Sequence, residues 1–351
     1  ISPDLTRNDK SKLVSSGGPI TQDNTGVEYY ATIFAVDESP LEEGLIWVGS
    51  DDGLIHLTKD GGATWENVTP KKMPDWMMIN SIDASSFDSG TAYIAGTRYK
   101  LGDFTPYLYV TDDYGKNWKL ITDGIKDEHF TRVLRSDKSN KNILYAGTET
   151  GMYISYDRGN SWNEFQKNLP IVPITDLTIK DNSLIVATQG RSIWMIDDLT
   201  VFHQLTPSTD QMKLYKPKDS FRIEGAGGRK SLTAGTNLPN GAIIHYFIPN
   251  YDKENDQVSL SIHSADETLI KEFSDKSKEN LLKVKNGGNS FVWNMKYPGA
   301  KRLDNMVLWG ADFTGAKAVP GNYIVKLKVN DNEMTQEFTI HKDPTSEGSI
   351  D

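Results

Sequence analysis

Short apolar runs alternate with turn-forming residues along the first 206 positions, and this pattern repeats. Each repeat has a run ending in Gly-Ser or Gly-Thr, a second apolar run, a polar turn, and a third run that opens with Trp. A further run precedes the next repeat. Short runs bounded by turn residues, with little helical periodicity, predict β-strands. We therefore expect four short strands in each repeat.

The polar turn reads Ser/Thr-x-Asp-x-Gly-x-x-Trp and occurs at 58–65, 111–118 and 155–162. We call these segments the Asp turns. An Asp that bonds the backbone two residues on, followed by a Gly that tolerates positive φ, favours a tight turn between two strands. The predicted structural residues are Asp60, Gly62, Trp65, Asp113, Gly115, Trp118, Asp157, Gly159 and Trp162. We interpret them as hairpin corners that supply no reactive group.

Four antiparallel strands in a repeat of about 35 to 50 residues are typical of β-propeller blades. We place four blades at 29–69, 79–123, 131–167 and 174–206, the last without an Asp turn. Residues 207–241 are Gly-rich and predict a linker. Alternation returns over 242–344, where seven short strands favour an immunoglobulin-like β-sandwich, and 345–351 predict a frayed tail. The chain is therefore expected to be all-β.

The first residues, Ile1 to Thr6, are similar to the tail of an outer strand such as 67–70. We therefore expect the chain to begin inside a blade. Rings of about six to eight blades are commoner than four-bladed rings. The expectation is that further blades, upstream in the same protein or in another chain, complete the propeller.

Composition narrows the possible partners. The formal net charge of −10 argues against a nucleic-acid ligand, which needs a basic surface. No apolar run is long enough for a membrane span. The chain has no cysteine, which excludes disulfides, zinc–thiolate sites and cysteine nucleophiles. No spacing typical of a metal site occurs, so we predict no metal or cofactor; the acidic composition leaves only Ca²⁺ open.

Chain order within a blade assigns the loops to two faces. The Asp turns share one face with the turns between first and second strands. The turns between second and third strands share the other face with the inter-blade connections, and we call it the loop face. Its long segments are 7–28, 69–78, 98–105 and 122–130. Extended loops commonly carry binding residues, and the predicted ones are Trp76, Arg98, Tyr99, His129, Gln189 and Arg191.

The eight-residue spelling resembles the Asp-box, or bacterial neuraminidase repeat, of sialidases, sortilin-type receptor domains and xyloglucanases. The run 187–198 is similar to the final-blade signature of sortilin-like bacterial proteins labelled glycosyl hydrolase. Residues 289–329 resemble the immunoglobulin-like domain of flagellar hook-cap proteins. The resemblance implies a β-propeller in a secreted or cell-envelope bacterial protein. It implies no particular activity, because Asp-boxes occur in enzymes and non-enzymes alike.

Two functions stay open. The preferred one is a non-catalytic binding or scaffold module that recognises a protein or glycan through the loop face. The alternative is a sialidase- or xyloglucanase-like glycoside hydrolase, with catalytic carboxylates partly in missing blades. A hydrolase needs two carboxylates about 5–10 Å apart, one of them protonated, and Asp52, Asp103 and Glu149 are candidates by position. A binding module instead predicts exposed aromatic residues such as Trp76 and Tyr99.

Overall fold

The computed structural model describes residues 2–12, 30–205, 211–223, 235, 237–300, 309–310 and 313–346. Parts of the predicted loop 7–28, linker 207–241, sandwich 242–344 and tail 345–351 lie outside these residues. The chain forms two compact units, Ile1–Asp197 and Asp198–Asp351. Helix is confined, among the described residues, to two 3₁₀ turns, Lys10–Lys12 and Tyr99–Leu101, and a short α1 at Thr200–His203.

The first unit is built from successive antiparallel sheets, each formed by consecutive strands. Blade 1 consists of β1 (Ile33–Glu38), β2 (Ile46–Ser50), β3 (Ile55–Thr58) and β4 (Glu66–Asn67). Blade 2 consists of β5 (Met78–Ala84), β6 (Ala92–Arg98), β7 (Asp103–Thr111) and β8 (Lys119–Leu120). Blade 3 consists of β9 (Thr131–Ser136), β10 (Leu144–Thr148), β11 (Gly151–Ser155) and β12 (Asn163–Glu164).

The described part of blade 4 has three strands, β13 (Ile174–Lys180), β14 (Ser183–Thr188) and β15 (Ile193–Ile196). The prediction of an all-β chain with propeller blades is confirmed. The first unit ends at Asp197, before the predicted blade end at 206. Leu199 is fully buried and α1 follows it in the second unit, so the apolar residues after Asp198 form a helix instead of a fourth strand.

The first strands of successive blades contact one another, β1 with β5, β5 with β9, and β9 with β13. Arg135 on β9 joins three of these strands. Its Nη1 donates to Ser81 Oγ on β5 (2.6 Å), its Nε donates to the Leu177 carbonyl on β13 (3.0 Å), and its Nη2 pairs with Asp176 (2.9 Å). One guanidinium thereby links blades 2, 3 and 4, because its fixed fork of donors reaches several acceptors.

The Asp turns share one hydrogen-bond pattern, seen first at 58–65. Asp60 Oδ1 accepts from Thr58 Oγ1 (2.8 Å) and from the Thr64 backbone N (2.8 Å). The Gly62 backbone N donates to Thr58 Oγ1 (2.9 Å), and Gly62 has a φ of +96°. The turns at Asp113 and Asp157 repeat these bonds. The prediction that the Asp carboxylate bonds the backbone two residues on is wrong. The carboxylate accepts from the backbone N four residues on, and the Ser or Thr hydroxyl at the start of the turn accepts from the Gly backbone N.

Each Asp turn also bonds the turn between the first and second strands of its own blade. The Gly61 N donates to the Gly44 carbonyl (3.1 Å), and the corresponding bonds in blades 2 and 3 measure 3.0 and 2.9 Å. The two kinds of turn therefore lie on one face, as chain order predicts. The loop face is the opposite one.

Adjacent blades are joined at the Trp of the Asp turn. Trp118 Nε1 of blade 2 donates to the Val68 carbonyl of blade 1 (2.7 Å), and Trp162 Nε1 of blade 3 donates to the Ile121 carbonyl of blade 2 (2.7 Å). A Cβ on Gly115 would lie 2.6 Å from Val68 Cβ, so only glycine permits this approach. Buried apolar side chains of neighbouring blades also pack together, in one cluster shared by blades 1 and 2 and in another shared by blades 2 and 3.

The second unit is a β-sandwich with one apolar core between two sheets. The smaller sheet has the order β16 (Lys213–Leu214), β18 (Ala242–Ile248), β21 (Gly287–Trp293). The larger sheet has the order β17 (Ser220–Arg222), β23 (Asn332–Lys342), β22 (Gly321–Val329), β19 (Val258–Ser264), β20 (Leu269–Ser274). Trp293 is fully buried and its ring lies 5.6 Å from that of Tyr323, across the core.

Two features of the second unit differ from the sequence expectations. The predicted linker 207–241 contains β16 and β17, because Leu214 and Tyr215 are buried and Ser220–Arg222 pairs in parallel with β23. One of the seven short strands predicted within 242–344, at 281–284, forms only a single bridge, between Ser274 and Leu281. Leu282 is buried, so it is apolar because it packs in the core and not because it belongs to a strand.

Gly115→Ala tests the joint between blades 1 and 2. We expect the free energy of unfolding to fall by about 2–4 kcal/mol, because a left-handed backbone and a clash with Val68 act together. Gly61→Ala is the matched control, since Gly61 has a φ of +67° and open space around a Cβ; its cost is about 1 kcal/mol. Urea unfolding measures both, and equal losses would contradict the joint.

Acid should unfold the chain partly through the Asp turns. Hydrogen bonds from Thr64 and Thr58 lower the pKa of Asp60 from 3.8 to about 2. Those from Asn117 and Thr111 lower the pKa of Asp113. A lowered carboxyl pKa adds stability that is present above the ordinary value and lost as pH falls through the folded-state value.

We therefore expect the free energy of unfolding to decline between about pH 4 and pH 2, and to decline less steeply in Asp60→Asn/Asp113→Asn/Asp157→Asn. Urea unfolding across this pH range provides the measurement. The control replaces three exposed aspartates, Asp127→Asn/Asp181→Asn/Asp331→Asn. An identical acid slope in both triple variants would show that the Asp turns do not carry this effect.

Candidate binding site

The loop face of blades 1 to 3 brings most of the predicted site residues into one connected set. Asp52 and Glu149 lie in turns between second and third strands, Arg98 ends β6, and Asp103 begins β7. Trp76 and His129 lie in the connections that precede β5 and β9. Gln189 and Arg191 lie in the corresponding turn of blade 4, with no contact to the others among the described residues.

Asp52 is a buried anchor for the segment before blade 1. Only 1% of its surface is exposed. Its carboxylate accepts from Ser50 Oγ (2.6 Å) and from the Arg7 backbone N (2.7 Å). The Arg7 side chain returns to the Asp52 carbonyl (2.9 Å) and pairs with Asp75 (2.8 Å). Asp52 therefore has no surface to offer a substrate.

Asp103 belongs to a charged bridge across the 3₁₀ turn. Its Oδ2 accepts from Arg98 Nη1 (2.6 Å) and from the Tyr107 hydroxyl (2.8 Å). Burial tends to raise the pKa of Asp103, but hydrogen bonds from Tyr107, Thr105 and Arg98 outweigh it and hold the pKa below its ordinary value. Asp103 is therefore ionised at neutral pH and serves as an acceptor.

Glu149 is paired with an arginine that also covers two aromatic rings. Arg132 Nε lies 2.6 Å from Glu149 Oε2. The same guanidinium lies over Tyr99 (5.5 Å) and Phe130 (5.3 Å), whose rings stack 5.2 Å apart. Cation–π contacts and a carboxylate partner fix Arg132 from two sides. These contacts hold Tyr99, Phe130, Arg132 and Glu149 together on the loop face.

Trp76 stands on a constrained backbone. Its φ is +60°, a conformation costly for a large side chain. A Cβ on Gly53 would lie 3.3 Å from the Trp76 N and 2.9 Å from the next backbone N, so glycine lets the two loops touch. Arg7 lies 5.4 Å from the indole centroid, and Tyr30 meets the ring edge-on at 6.4 Å. The ring is thus held from several sides.

His129 has a structural partner, because its Nδ1 lies 2.9 Å from the Tyr153 hydroxyl. Two residues that the sequence did not single out belong to the site instead. Leu101 and Phe104 are 51% and 48% exposed, and the Phe104 ring lies 5.9 Å from that of Phe130. The signal was their place in the longest turn between second and third strands. Together they form an apolar tip beside the Arg98–Asp103 bridge.

Metal ligation has little support in the described part of the chain, which holds no group of three or more His, Asp or Glu side chains arranged around a common point. Asp51 is engaged by the Ala31 N (3.0 Å), the Thr32 N (2.9 Å) and the Thr32 hydroxyl (2.9 Å). Ca²⁺ binding stays a prediction. Within the same residues, no helix is long and apolar enough to cross a lipid bilayer.

Comparison with known proteins gives one partial family match. Residues 106–222, about a third of the chain, match the family model Sortilin-Vps10, described as "Sortilin, neurotensin receptor 3". No curated protein matches the chain. The match begins in β7 and ends in β17, so it covers parts of both units.

Solved structures show distant likeness. YCF48 bound to D1 peptide is 20% identical, with 47% of this chain and 52% of that one covered, at a TM-score of 0.37. YCF48 from Cyanidioschyzon merolae is 18% identical, with 47% and 53% covered, at 0.36. The GH74 xyloglucanase from Xanthomonas campestris is 12% identical, with 87% and 43% covered, at 0.36. The chain thus spans about half the length of these structures.

Asp52→Asn and Asp75→Asn separate a buried anchor from an exposed partner of the same arginine. We expect Asp52→Asn to lower the free energy of unfolding by about 1–3 kcal/mol, because one of the two hydrogen bonds to the buried carboxylate loses its acceptor and meets an NH2 donor instead. Asp75→Asn should cost less than about 0.5 kcal/mol, as exposed ion pairs do. Urea unfolding distinguishes them, and an equally small effect of both would place Asp52 in solvent.

Proposed function

We propose that the chain is a non-catalytic binding module that recognises a protein or glycan ligand through the loop face. The observation that supports this best is the exposed pair Leu101 and Phe104, mounted on an aromatic and ionic base. Exposed apolar side chains on a rigid support, with charged groups at the rim, are typical of binding hot spots. The base consists of Arg98, Tyr99, Asp103, Phe130 and Arg132.

The same contacts weigh against the glycoside hydrolase alternative. A hydrolase needs one protonated and one ionised carboxyl group that both reach the substrate. Asp52 is buried, Asp103 is held ionised by Arg98 and Tyr107, and Glu149 is paired with Arg132. None of the three meets the requirement for an acid catalyst. The wider context that we propose is a secreted or cell-envelope bacterial protein, in which the turns are Asp-boxes and the sandwich is immunoglobulin-like.

Further blades are part of this proposal, supplied by the same protein or by another chain. The first strand of blade 1 carries Ile33, Phe34 and Val36 exposed, whereas the first strands of blades 2 and 3 are mostly buried between neighbours. Burying such apolar surface contributes about 25 cal/mol per Å². A neighbouring blade on β1 would cover these side chains in the way that β5 is covered by β1 and β9.

A glycan array and a peptide array, each probed with the purified chain, test the binding function. Phe104→Ala should weaken any specific interaction at least about tenfold, as loss of a central apolar anchor does. Phe87→Ala is the matched control, because Phe87 is 41% exposed in a turn on the Asp-turn face. Binding that is lost with Phe87→Ala and kept with Phe104→Ala would place the site on the Asp-turn face and contradict the proposal.

Chromogenic glycosides test the alternative directly. We expect no turnover by the chain. Turnover abolished by Asp103→Asn or Glu149→Gln, with the free energy of unfolding unchanged, would overturn the binding proposal in favour of the hydrolase.

A further inference from the structure

A groove separate from the loop-face site runs along the rim of the first unit, between the outer strands β4 and β8. Its volume is about 670 Å³, within the usual range of ligand pockets. Trp118, Tyr109 and Leu120 form its apolar floor, and Leu120 is 49% exposed. No residue of the loop-face base takes part in it.

The next joint between blades shows why this groove is open. Trp162 of blade 3 is buried, and its backbone N donates to the Asp123 carbonyl (2.9 Å). Gly124 packs so closely on it that a Cβ there would lie 2.3 Å from the Trp162 carbonyl oxygen. At the first joint the corresponding positions hold Pro70 and Lys71. Lysine cannot approach as glycine does, and Trp118 stays half-buried.

The groove has a positive rim in a chain whose net charge is −10. Lys71, Lys72 and Lys116 line it, all three exposed and none in an ion pair within 4.0 Å among the described residues. Glu66 is the one carboxylate in the lining. The nearby Asp113 uses both carboxylate oxygens within its own turn. The three ammonium groups are thus available to a ligand.

Tyr109 adds a polar group to the floor. Tyr109 is 6% exposed and lines the groove. Burial raises the pKa of Tyr109 to about 12, so the hydroxyl keeps its proton and can donate.

We propose that this rim groove binds an acidic peptide segment with one aromatic or large aliphatic side chain. The apolar side chain packs on Trp118 and Leu120, the carboxylates of its neighbours meet Lys71, Lys72 and Lys116, and a backbone carbonyl accepts from Tyr109. The apolar floor favours a peptide over a sulfated glycan, which carries no large aliphatic or aromatic side chain to pack on Leu120 and Trp118.

Isothermal titration with the peptides Asp-Glu-Phe-Asp-Glu, Asp-Glu-Gly-Asp-Glu and Lys-Lys-Phe-Lys-Lys tests the proposal. We expect the first to bind, the second to bind at least about tenfold more weakly, and the third not to bind. Lys71→Glu/Lys72→Glu should weaken binding at least about tenfold, with Lys141→Glu/Lys180→Glu as a control of equal charge change in exposed lysines. Tyr109→Phe should weaken binding about three- to tenfold, as loss of one hydrogen bond does.

The proposal is overturned if the acidic aromatic peptide shows no binding at millimolar concentration, or if both double variants weaken it equally. Dextran sulfate is the competing polyanion. Tight binding of dextran sulfate, with no preference for Phe over Gly in the peptides, would assign the groove to polyanions in general. Loss of peptide binding in Phe104→Ala but not in Lys71→Glu/Lys72→Glu would move the site to the loop face.

Discussion

The interaction on which the stacking of blades 1 to 3 depends is the indole N–H of the second and third Asp turns donating to a carbonyl of the preceding blade. Trp118 reaches Val68 and Trp162 reaches Ile121, both at 2.7 Å. The Trp donor belongs to a turn whose conformation is already fixed by the Asp, the Ser or Thr hydroxyl and the Gly of that turn. The indole bond therefore also sets the spacing between the sheets of adjacent blades. A bond whose donor is already held in place loses little conformational entropy when it forms. Blades 1 to 3 stack in register for this reason.

A second set of hydrogen bonds, within each blade, explains how the two faces differ. On one face, the Asp turns are hydrogen-bonded to the turns between first and second strands, and the connections on that face are short. The opposite ends of the strands carry the long connections, where Arg132 holds Tyr99 and Phe130 and where Arg98 holds Asp103. Ion pairs and stacked rings there make a loop surface rigid enough to present Leu101 and Phe104. We therefore expect the binding function in the long connections of the loop face.

Much of the fold could be predicted from the sequence because the repeat is local. The spelling around Asp60, Asp113 and Asp157 recurs, and alternation marks most strands of the sandwich. The short strands β16 and β17 were missed since two or three residues show no periodicity, and their pairing with β18 and β23 is set by distant parts of the chain. The exchange of a fourth strand for helix α1 after Asp198 likewise depends on burial of Leu199.

The site was harder to predict than the fold. Sequence order placed Arg98, Tyr99, Asp103 and Glu149 on one face. The structure joins Tyr99 and Glu149 through Arg132, and it pairs Arg98 with Asp103. Sequence order could not show that Asp52 is buried, because this burial follows from contact with Arg7, which lies 45 residues earlier in the chain. Gln189 and Arg191 share the face by topology alone, because no side chain of the described residues forms a hydrogen bond or ion pair between them and the other site residues.

Hydrogen–deuterium exchange, with and without a ligand selected on the arrays, tests the central claim that the loop face is the binding surface. The account predicts slower exchange in 98–105 and 128–132 when ligand is present, and unchanged exchange in 58–65, 111–118 and 155–162. Slower exchange confined to the three Asp turns would contradict it.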